Sequence, residues 1–213
     1  ANVWDLDGNK FIDWGMGLTS VVLGHAYDPI IMEIKKELDN GSNFILPSNI
    51  EAEVAEIISN QIPSAQMVKF GKNGSDASSS AVKLARAYTG KNLILRCSDQ
   101  PFLSIHDWFI GSTKVDSGVP NSTKKLTKLF KYNDLKNLKL VIEENKKEGI
   151  ACVIMEPAST EEPLEGYLQG VKDLCEHNNI ILIFDEVVSG FRFHPKGAQF
   201  LYGVTPHLSS FGK

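Results

Sequence analysis

An α/β fold built on a mostly parallel sheet is predicted by three features of the sequence. Ala151-Cys152-Val153-Ile154-Met155 and Ile180-Ile181-Leu182-Ile183-Phe184 are unbroken apolar runs. Such runs match strands buried on both faces, as parallel strands are. Segments with apolar residues at helical spacing alternate with runs of this kind along the chain. The strand runs end in polar or glycine-bearing turns, and open α/β sheets bind ligands beyond the carboxyl ends of their strands.

From the N-terminus, Val3 to Asp13 carries two short alternating runs around Asp7-Gly8-Asn9. That turn accepts positive φ at little cost, so a hairpin is predicted. A glycine-bearing stretch, Gly15-Met16-Gly17-Leu18-Thr19-Ser20, leads to Leu23-Gly24-His25-Ala26. Asp28-Pro29 then opens a helix, with Asp28 as cap and Pro29 at the first helical position. Ile30, Ile31, Ile34 and Leu38 form its apolar stripe. A second helix is predicted from Ile50 to Gln61, with Val54, Ile57 and Ile58 turned inward.

Met67-Val68-Lys69-Phe70 is predicted as a short strand running into Gly71-Lys72-Asn73-Gly74-Ser75-Asp76-Ala77 and a helix that continues to Arg86. A helix opening on Gly and Ser offers free N–H groups and a favourable dipole to an anion. By itself the same sequence also describes an ordinary capped helix. Asn92 to Cys97 is the next strand, followed by a turn containing Phe102, Leu103 and Ser104. Trp108 and Phe109 are expected in the core, and Gly111 to Lys125 is expected as a long surface loop. Lys128 to Tyr132 is a further strand, and Asp134 to Glu148 is a helix capped by Asp134, with Leu135, Leu138, Val141 and Ile142 inward. The strand at 151–155 ends in Glu156, ahead of a loop with Glu161 and Glu162, and Tyr167 to His177 is helical.

Ile180–Phe184 delivers Asp185 and Glu186 to the end of a buried strand. A carboxylate desolvated there is costly unless a positive group meets it. Lys213 follows 28 positions after Asp185, beyond a short strand at His207 to Ser210. The sequence F-D-E-V-V-S-G-F-R, followed by Y-G-V-T-P-H-L-S-S-F-G-K, resembles the fold-type I, class III pyridoxal-phosphate (PLP) aminotransferases. Within that class it is most similar to the glutamate-1-semialdehyde aminomutase group. The opening W-D-x-D-G-x-x-x-I-D, then L-G-H-A and a helix, resembles the same family.

The resemblance implies a three-layer α/β/α PLP-transferase large domain, of the aspartate aminotransferase type, and pyridoxal 5'-phosphate as cofactor. It implies that Asp185 pairs with the pyridinium nitrogen and that Lys213 carries the cofactor as an aldimine. It places Gly74 and Ser75, with Asn73 beside them, at the phosphate. Phe102 would stack on the ring where the family has aromatic-His-Gly, with Leu103 and Ser104 departing from that pattern. Val187 would cover the opposite ring face, and Glu161 would approach the ring. The reaction implied is transfer of an amino group between an amine or amino acid and a carbonyl acceptor, or alternatively the aminomutase reaction. The family's semialdehyde enzymes carry Ser-Trp-Gly where Gly17-Leu18-Thr19 aligns, which favours the more general transaminase. The glycine-bearing stretch would line the substrate entrance.

The same resemblance makes the chain read as a fragment of a homodimeric enzyme that stops at the cofactor lysine. Residues 1–45 would be a partial N-terminal segment and 46–213 an incomplete cofactor domain, the C-terminal small domain lying beyond. A segment preceding Ala1 is expected as well. The fragment itself is expected to be inactive. The competing reading from another class is a non-catalytic phosphate-binding α/β module, which needs the Gly74 turn but neither Lys213 nor Phe102. A cofactor-less structural relic is the other.

Composition agrees with an ordinary globular protein, 42% hydrophobic and 23% charged. A net charge of −4 gives no reason for a nucleic-acid or anionic-membrane partner. No apolar run approaches the roughly 18 residues of a membrane span. Cys97, Cys152 and Cys175 lie in or near apolar segments without metal-ligand spacing, and read as reduced, buried thiols of a cytoplasmic protein.

Overall fold

The computed structural model describes residues 2–213. The chain divides into two compact units, residues 1–54 with Lys213, and residues 55–212.

In the first unit β1 (Asn2–Trp4) and β2 (Lys10–Ile12) pair antiparallel, as the alternating runs predict. Asp5 closes the hairpin: its carboxylate accepts from the backbone N–H of Asp7 and Asn9 and from the Asn9 amide, while Gly8 takes φ +83°. The stretch α1 (Met16–Thr19) is a turn of left-handed backbone, with φ between +44° and +65°. Asp13 anchors its start by accepting from the Met16 N–H and contacts His25 at 2.9 Å. Helix α2 (Asp28–Leu38) begins one residue earlier than predicted, so Tyr27 takes the cap position and Asp28 lies in the first turn. Its carboxylate still sits at the positive end of the helix dipole. Helix α3 (Asn49–Gln61) covers the second predicted segment.

The predicted inward stripes of these helices are not buried. Ile30, Ile34, Leu38, Val54 and Ile57 are exposed, and Ile58 is half-buried. In the first unit Ile30, Ile34, Leu38, Phe44 and Leu46 line an open groove of about 720 Å³. Helical periodicity is there, but among the described residues no apolar surface closes over it.

The second unit holds the sheet. The elements are α4 (Gly74–Thr89), β3 (Leu93–Cys97), α5 (Asp107–Ile110), α6 (Asn121–Lys124), β4 (Thr127–Phe130), α7 (Leu135–Asn145), β5 (Ile150–Met155), α8 (Tyr167–His177), β6 (Ile181–Glu186), α9 (Gly197–Leu201) and β7 (Leu208–Phe211). Strand order is β4-β3-β5-β6-β7, and every pairing is parallel. The side-chain period of two sends alternate residues to opposite faces. Leu93, Leu95, Val153, Met155, Leu182 and Phe184 meet Leu138, Ile142, Leu168 and Val171 of α7 and α8 on one face. Ile94, Cys152, Ile154 and Ile183 meet Val82, Ala85, Trp108 and Phe109 on the other. Three layers result, and the buried positions of Trp108 and Phe109 follow the prediction.

Three local predictions fail. Met67–Phe70 forms no strand, because an extended run counts as one only when a neighbour pairs with it, and none does among the described residues. The Gly111–Lys125 stretch is more than a surface loop: it contains α6 and buries Val119. The strand at 180–184 does not stop at its carboxylates but runs through both of them to Glu186. By contrast, Asp134 caps α7 through the Asn137 N–H at 2.8 Å, and α8 spans the predicted residues.

Candidate active site

The chain leaves β3 for the edge strand β4 and then returns to the other side of β3 as β5. Such a reversal opens a crevice beyond the carboxyl ends of the strands. Three of the sequence-predicted stretches meet there.

The first is the start of α4. Asn73 holds extended backbone, and its side-chain oxygen accepts from the Asp76 N–H at 3.0 Å while its amide donates to the Asp76 carboxylate at 3.1 Å. This reciprocal cap spends the Asn73 side chain on the helix. The first intrahelical bond runs from the Ala77 N–H to the Asn73 carbonyl, so the N–H groups of Gly74 and Ser75 precede the helical ladder. An anion can collect both, and the dipole favours it.

The second stretch is the end of β6. Asp185 is buried, and its Oδ1 accepts the Val187 N–H at 3.0 Å. Its partner across the ladder is Ser210 on β7, so both side chains share the α4 face. The Ser210 hydroxyl is buried and has no hydrogen-bond partner. Glu186, the next residue, points to the opposite face and is 0% exposed.

The third is the glycine preceding Lys213. A Cβ on Gly74 would lie 3.0 Å from both Val187 methyls, and one on Gly212 would lie 3.1 Å from the nearer methyl. Val187 therefore packs close to both the anion turn and Gly212, and a side chain on either glycine would need its methyls to give by a few tenths of an ångström. Lys213 follows Gly212 directly, two residues past Phe211, whose ladder partner is Glu186.

Phe102 presents its ring to solvent, 54% exposed, and leans edge-on against Phe109 with centroids 5.8 Å apart. The altered neighbours Leu103 and Ser104 turn inward and are buried. There a serine network, which sequence reasoning missed, ties the Phe102 loop to α4. Ser78 Oγ donates to the Leu103 carbonyl at 2.7 Å, and Ser79 and Ser104 hydroxyls lie 3.0 Å apart. The Trp108 indole N–H donates to Ser79 Oγ at 2.8 Å, and the Ile105 N–H to Ser75 Oγ at 3.2 Å. The signal was the Ser78-Ser79-Ser80 run: serine is a weak helix former, and three in succession ask for a tertiary reason. Gln100 completes the fixing of the loop by exchanging two hydrogen bonds with the Glu156 backbone, at 2.7 and 2.8 Å.

Glu161, in the loop between β5 and α8, is exposed, and its carboxylate accepts from the side-chain amide of Asn133, three residues past β4, at 3.0 Å.

The three cysteines are free and buried, and burial pushes the Cys97 thiol up to about 11 and that of Cys152 up to about 12. They are protonated, unreactive core groups at neutral pH. Among the described residues no cluster of three His, Cys, Asp or Glu could hold a metal, and no helix is long and apolar enough to cross a membrane.

Residues 1–213 match the family model described as aminotransferase class-III. A glutamate-1-semialdehyde 2,1-aminomutase of Methanococcus maripaludis strain C6 is 40% identical over 224 aligned residues, covering 99% of this chain and 52% of the relative. An omega-transaminase from Sphaerobacter thermophilus superposes with TM-score 0.91 at 29% identity, over all of this chain and 52% of its own. A solved transaminase with PLP bound gives TM-score 0.92 at 27% identity, with the same coverage. The chain spans about half the length of the relatives it matches.

Proposed function

The chain belongs to the class-III aminotransferases, and we propose that the whole protein is a PLP-dependent transaminase whose cofactor seat lies largely in these residues. When bound, the cofactor supplies an electron sink for the carbanion formed at the substrate's amine carbon. The residues present fit it. Gly74 and Ser75 offer two N–H groups to its phosphate. Asp185, buried and held by the Val187 N–H, gives a fixed anion for its ring nitrogen. Phe102 and Val187 provide two apolar surfaces for the ring. The unpartnered Ser210 hydroxyl beside Asp185 marks a polar place still open to a donor or acceptor. Lys213 is the group we assign to bind the cofactor's aldehyde carbon and, once freed, to move the proton at the substrate's amine carbon.

The observation that carries this reading is the contact of Val187 with both Gly74 and Gly212. It joins the anion turn, the residue after Asp185's strand and the residue before Lys213 in one place. Asn73 enters as a support of the turn, its side chain being committed to Asp76. Glu161, tied to Asn133, is the weakest member of the predicted set. We assign the cofactor domain to residues 46–213, an amine or amino-acid donor and a carbonyl acceptor as substrates, and a cytoplasmic homodimer as the working form.

Borohydride reduction of the whole holo-protein followed by peptide mapping tests the assignment. One pyridoxyl-labelled peptide containing Lys213 is expected, and a label on Lys72 or Lys83 overturns it. The aminomutase reading is favoured by the 40% identical relative and opposed by Leu18 in place of the tryptophan. Isomerisation of an amino-aldehyde without any added acceptor would establish it.

A further inference from the structure

Two carboxylates stand back to back at the end of β6, and only Asp185 belongs to the proposed cofactor seat. Glu186 faces away from Asp185, is 0% exposed, and forms no ion pair among the described residues. A buried carboxylate without a cation must be met by hydrogen-bond donors, since it has given up those of water. Four neutral donors meet it. The Ala198 N–H and the Ser189 hydroxyl bond Oε2, while the Gln199 N–H at 3.2 Å and the Gln199 side-chain amide at 2.9 Å bond Oε1. The backbone is bent to make this cage. Gly197 takes φ +79°, and a Cβ there would come 3.0 Å from both carboxylate oxygens.

The cage does not end at Glu186. The Gln199 side-chain amide also donates to Ser209 Oγ on β7 at 3.1 Å, and its Oε1 accepts the Ser64 N–H at 2.9 Å. Ser209 and Ser64 hydroxyls lie 2.9 Å apart. One carboxylate thus ties the end of β6 to the loop at Ser189, to α9, and through Gln199 to β7. These are the two strands that carry Asp185 and lead to Lys213. Glu186 also uses its backbone carbonyl, which accepts the Gly190 N–H at 2.8 Å.

We infer that Glu186 is a positioning residue: acting through Gln199 and Ser209 on the back of the sheet, it fixes the separation and height of Asp185 and β7 on the front. The inference rests on the cofactor reading given above. A carboxylate suits the task because it is acceptor-only, so four donors select one orientation. A neutral amide at this place turns an N–H₂ group toward the Ala198 or Gln199 N–H, donor against donor. The strand end then relaxes, and Asp185 loses its register with the ring nitrogen.

The test uses the whole holo-protein, with Glu186→Gln, Gln199→Leu and Ser209→Ala compared with Asp185→Asn. Three quantities are measured: the pH midpoint of the cofactor's visible absorption band, kcat and KM, and the melting temperature. A displaced Asp185 is expected to move the band midpoint in the same direction in all three back-face variants, and by less than in Asp185→Asn. It should lower kcat about tenfold or more in Glu186→Gln with KM little changed, as expected for misplacement by a fraction of an ångström. Exchanging the pair, Glu186→Gln with Gln199→Glu, returns one carboxylate–amide contact and should recover part of both shifts. Gln199→Leu and Ser209→Ala carry the test if Glu186→Gln does not fold, because neither removes the buried carboxylate. A lowered melting temperature with an unmoved band midpoint and unchanged kcat overturns the inference and leaves Glu186 a purely structural acid. Absence of a visible band in the parent protein overturns instead the cofactor reading beneath it.

Discussion

Helices α2 and α7 have the same amphipathic design and opposite fates. In α7 the stripe Leu138, Val141 and Ile142 is sealed against the sheet, with Ile142 1% exposed. In α2 the equivalent stripe Ile30, Ile34 and Leu38 faces open space, with Ile34 49% exposed. Periodicity records that a face is meant to be covered, and says nothing of what covers it. In residues 55–212 the cover is the parallel sheet, which the same stretch of sequence supplies. In residues 1–54 the described residues supply only a groove. A chain that spans half the length of its relatives can carry such a face without any fault in its sequence.

The largest expected effect separates these two regions directly. In the 213-residue chain, amides of β5 and β6 should exchange hydrogen only through global opening, while those of α2 exchange through local opening close to zero cost. A difference of about a thousandfold or more in exchange rate follows, since global stability is about 5–15 kcal/mol. In the whole protein the α2 amides should slow if the stripe is covered there. Equal protection of α2 and β6 in the 213-residue chain would erase the comparison.

Substitution gives the next largest contrast. Phe184→Ala empties a fully buried ring site and should cost about 3–5 kcal/mol. Ile34→Ala, on the exposed stripe, should change stability by less than about 0.5 kcal/mol. Urea midpoints of the two variants decide it, and comparable losses would mean that α2 is packed after all.

Within the ordered region, the front of the sheet can be set against its back. Asp185→Asn should leave the fold intact, because the Val187 N–H can bond an amide oxygen. On the proposed cofactor reading, in which Asp185 pairs with the ring nitrogen, catalysis by the whole protein should suffer instead. Breaking a buried ion pair at one end costs about 3–5 kcal/mol, and part of that in the transition state is a rate loss of several hundredfold. Near-normal turnover of the whole protein carrying Asp185→Asn would reduce this residue to a strand-end acid.

The same contrast explains what could be read in advance. The buried strands, α8 and the Asp134 cap were legible because each depends on local residues: unbroken apolar runs, or a carboxylate three positions before a free N–H. That Asp185 is buried near a strand end and that a helix opens at Gly74 were legible for the same local reasons. Glu186 was not. Its partners lie 3, 12 and 13 positions onward, and no spacing in the sequence announces that Ala198 and Gln199 will turn their N–H groups on it. The Met67–Phe70 run failed for a related reason, since pairing is a property of two segments and only one was visible.

The smallest expected effect lies at the opposite end of the sheet from the site, where β6 and β7 begin. His207 Nδ1 accepts the Leu182 N–H at 3.0 Å, and the His207 N–H returns a bond of 3.0 Å to the Leu182 carbonyl. Protonation would place a hydrogen on Nδ1, donor against donor, and break one half of this exchange. Burial holds the His207 pKa below its ordinary value of 6.5, with Glu176 opposing that shift and Lys172 adding to it. The unfolded chain therefore binds a proton at His207 before the folded one does. His207's contribution is present in full above pH about 6.5, and is lost as pH falls from there toward the lowered folded value. Wild-type stability alone would mix this effect with those of the chain's other titrating groups. The useful quantity is the difference between the wild type and His207→Asn, whose amide oxygen can still accept the Leu182 N–H but does not titrate. That difference in denaturant midpoint should be flat above neutral pH and turn against the wild type once pH drops below about 6.5. Parallel curves across the whole range would show that His207 keeps its hydrogen bond on protonation, which this pairing of donors does not allow.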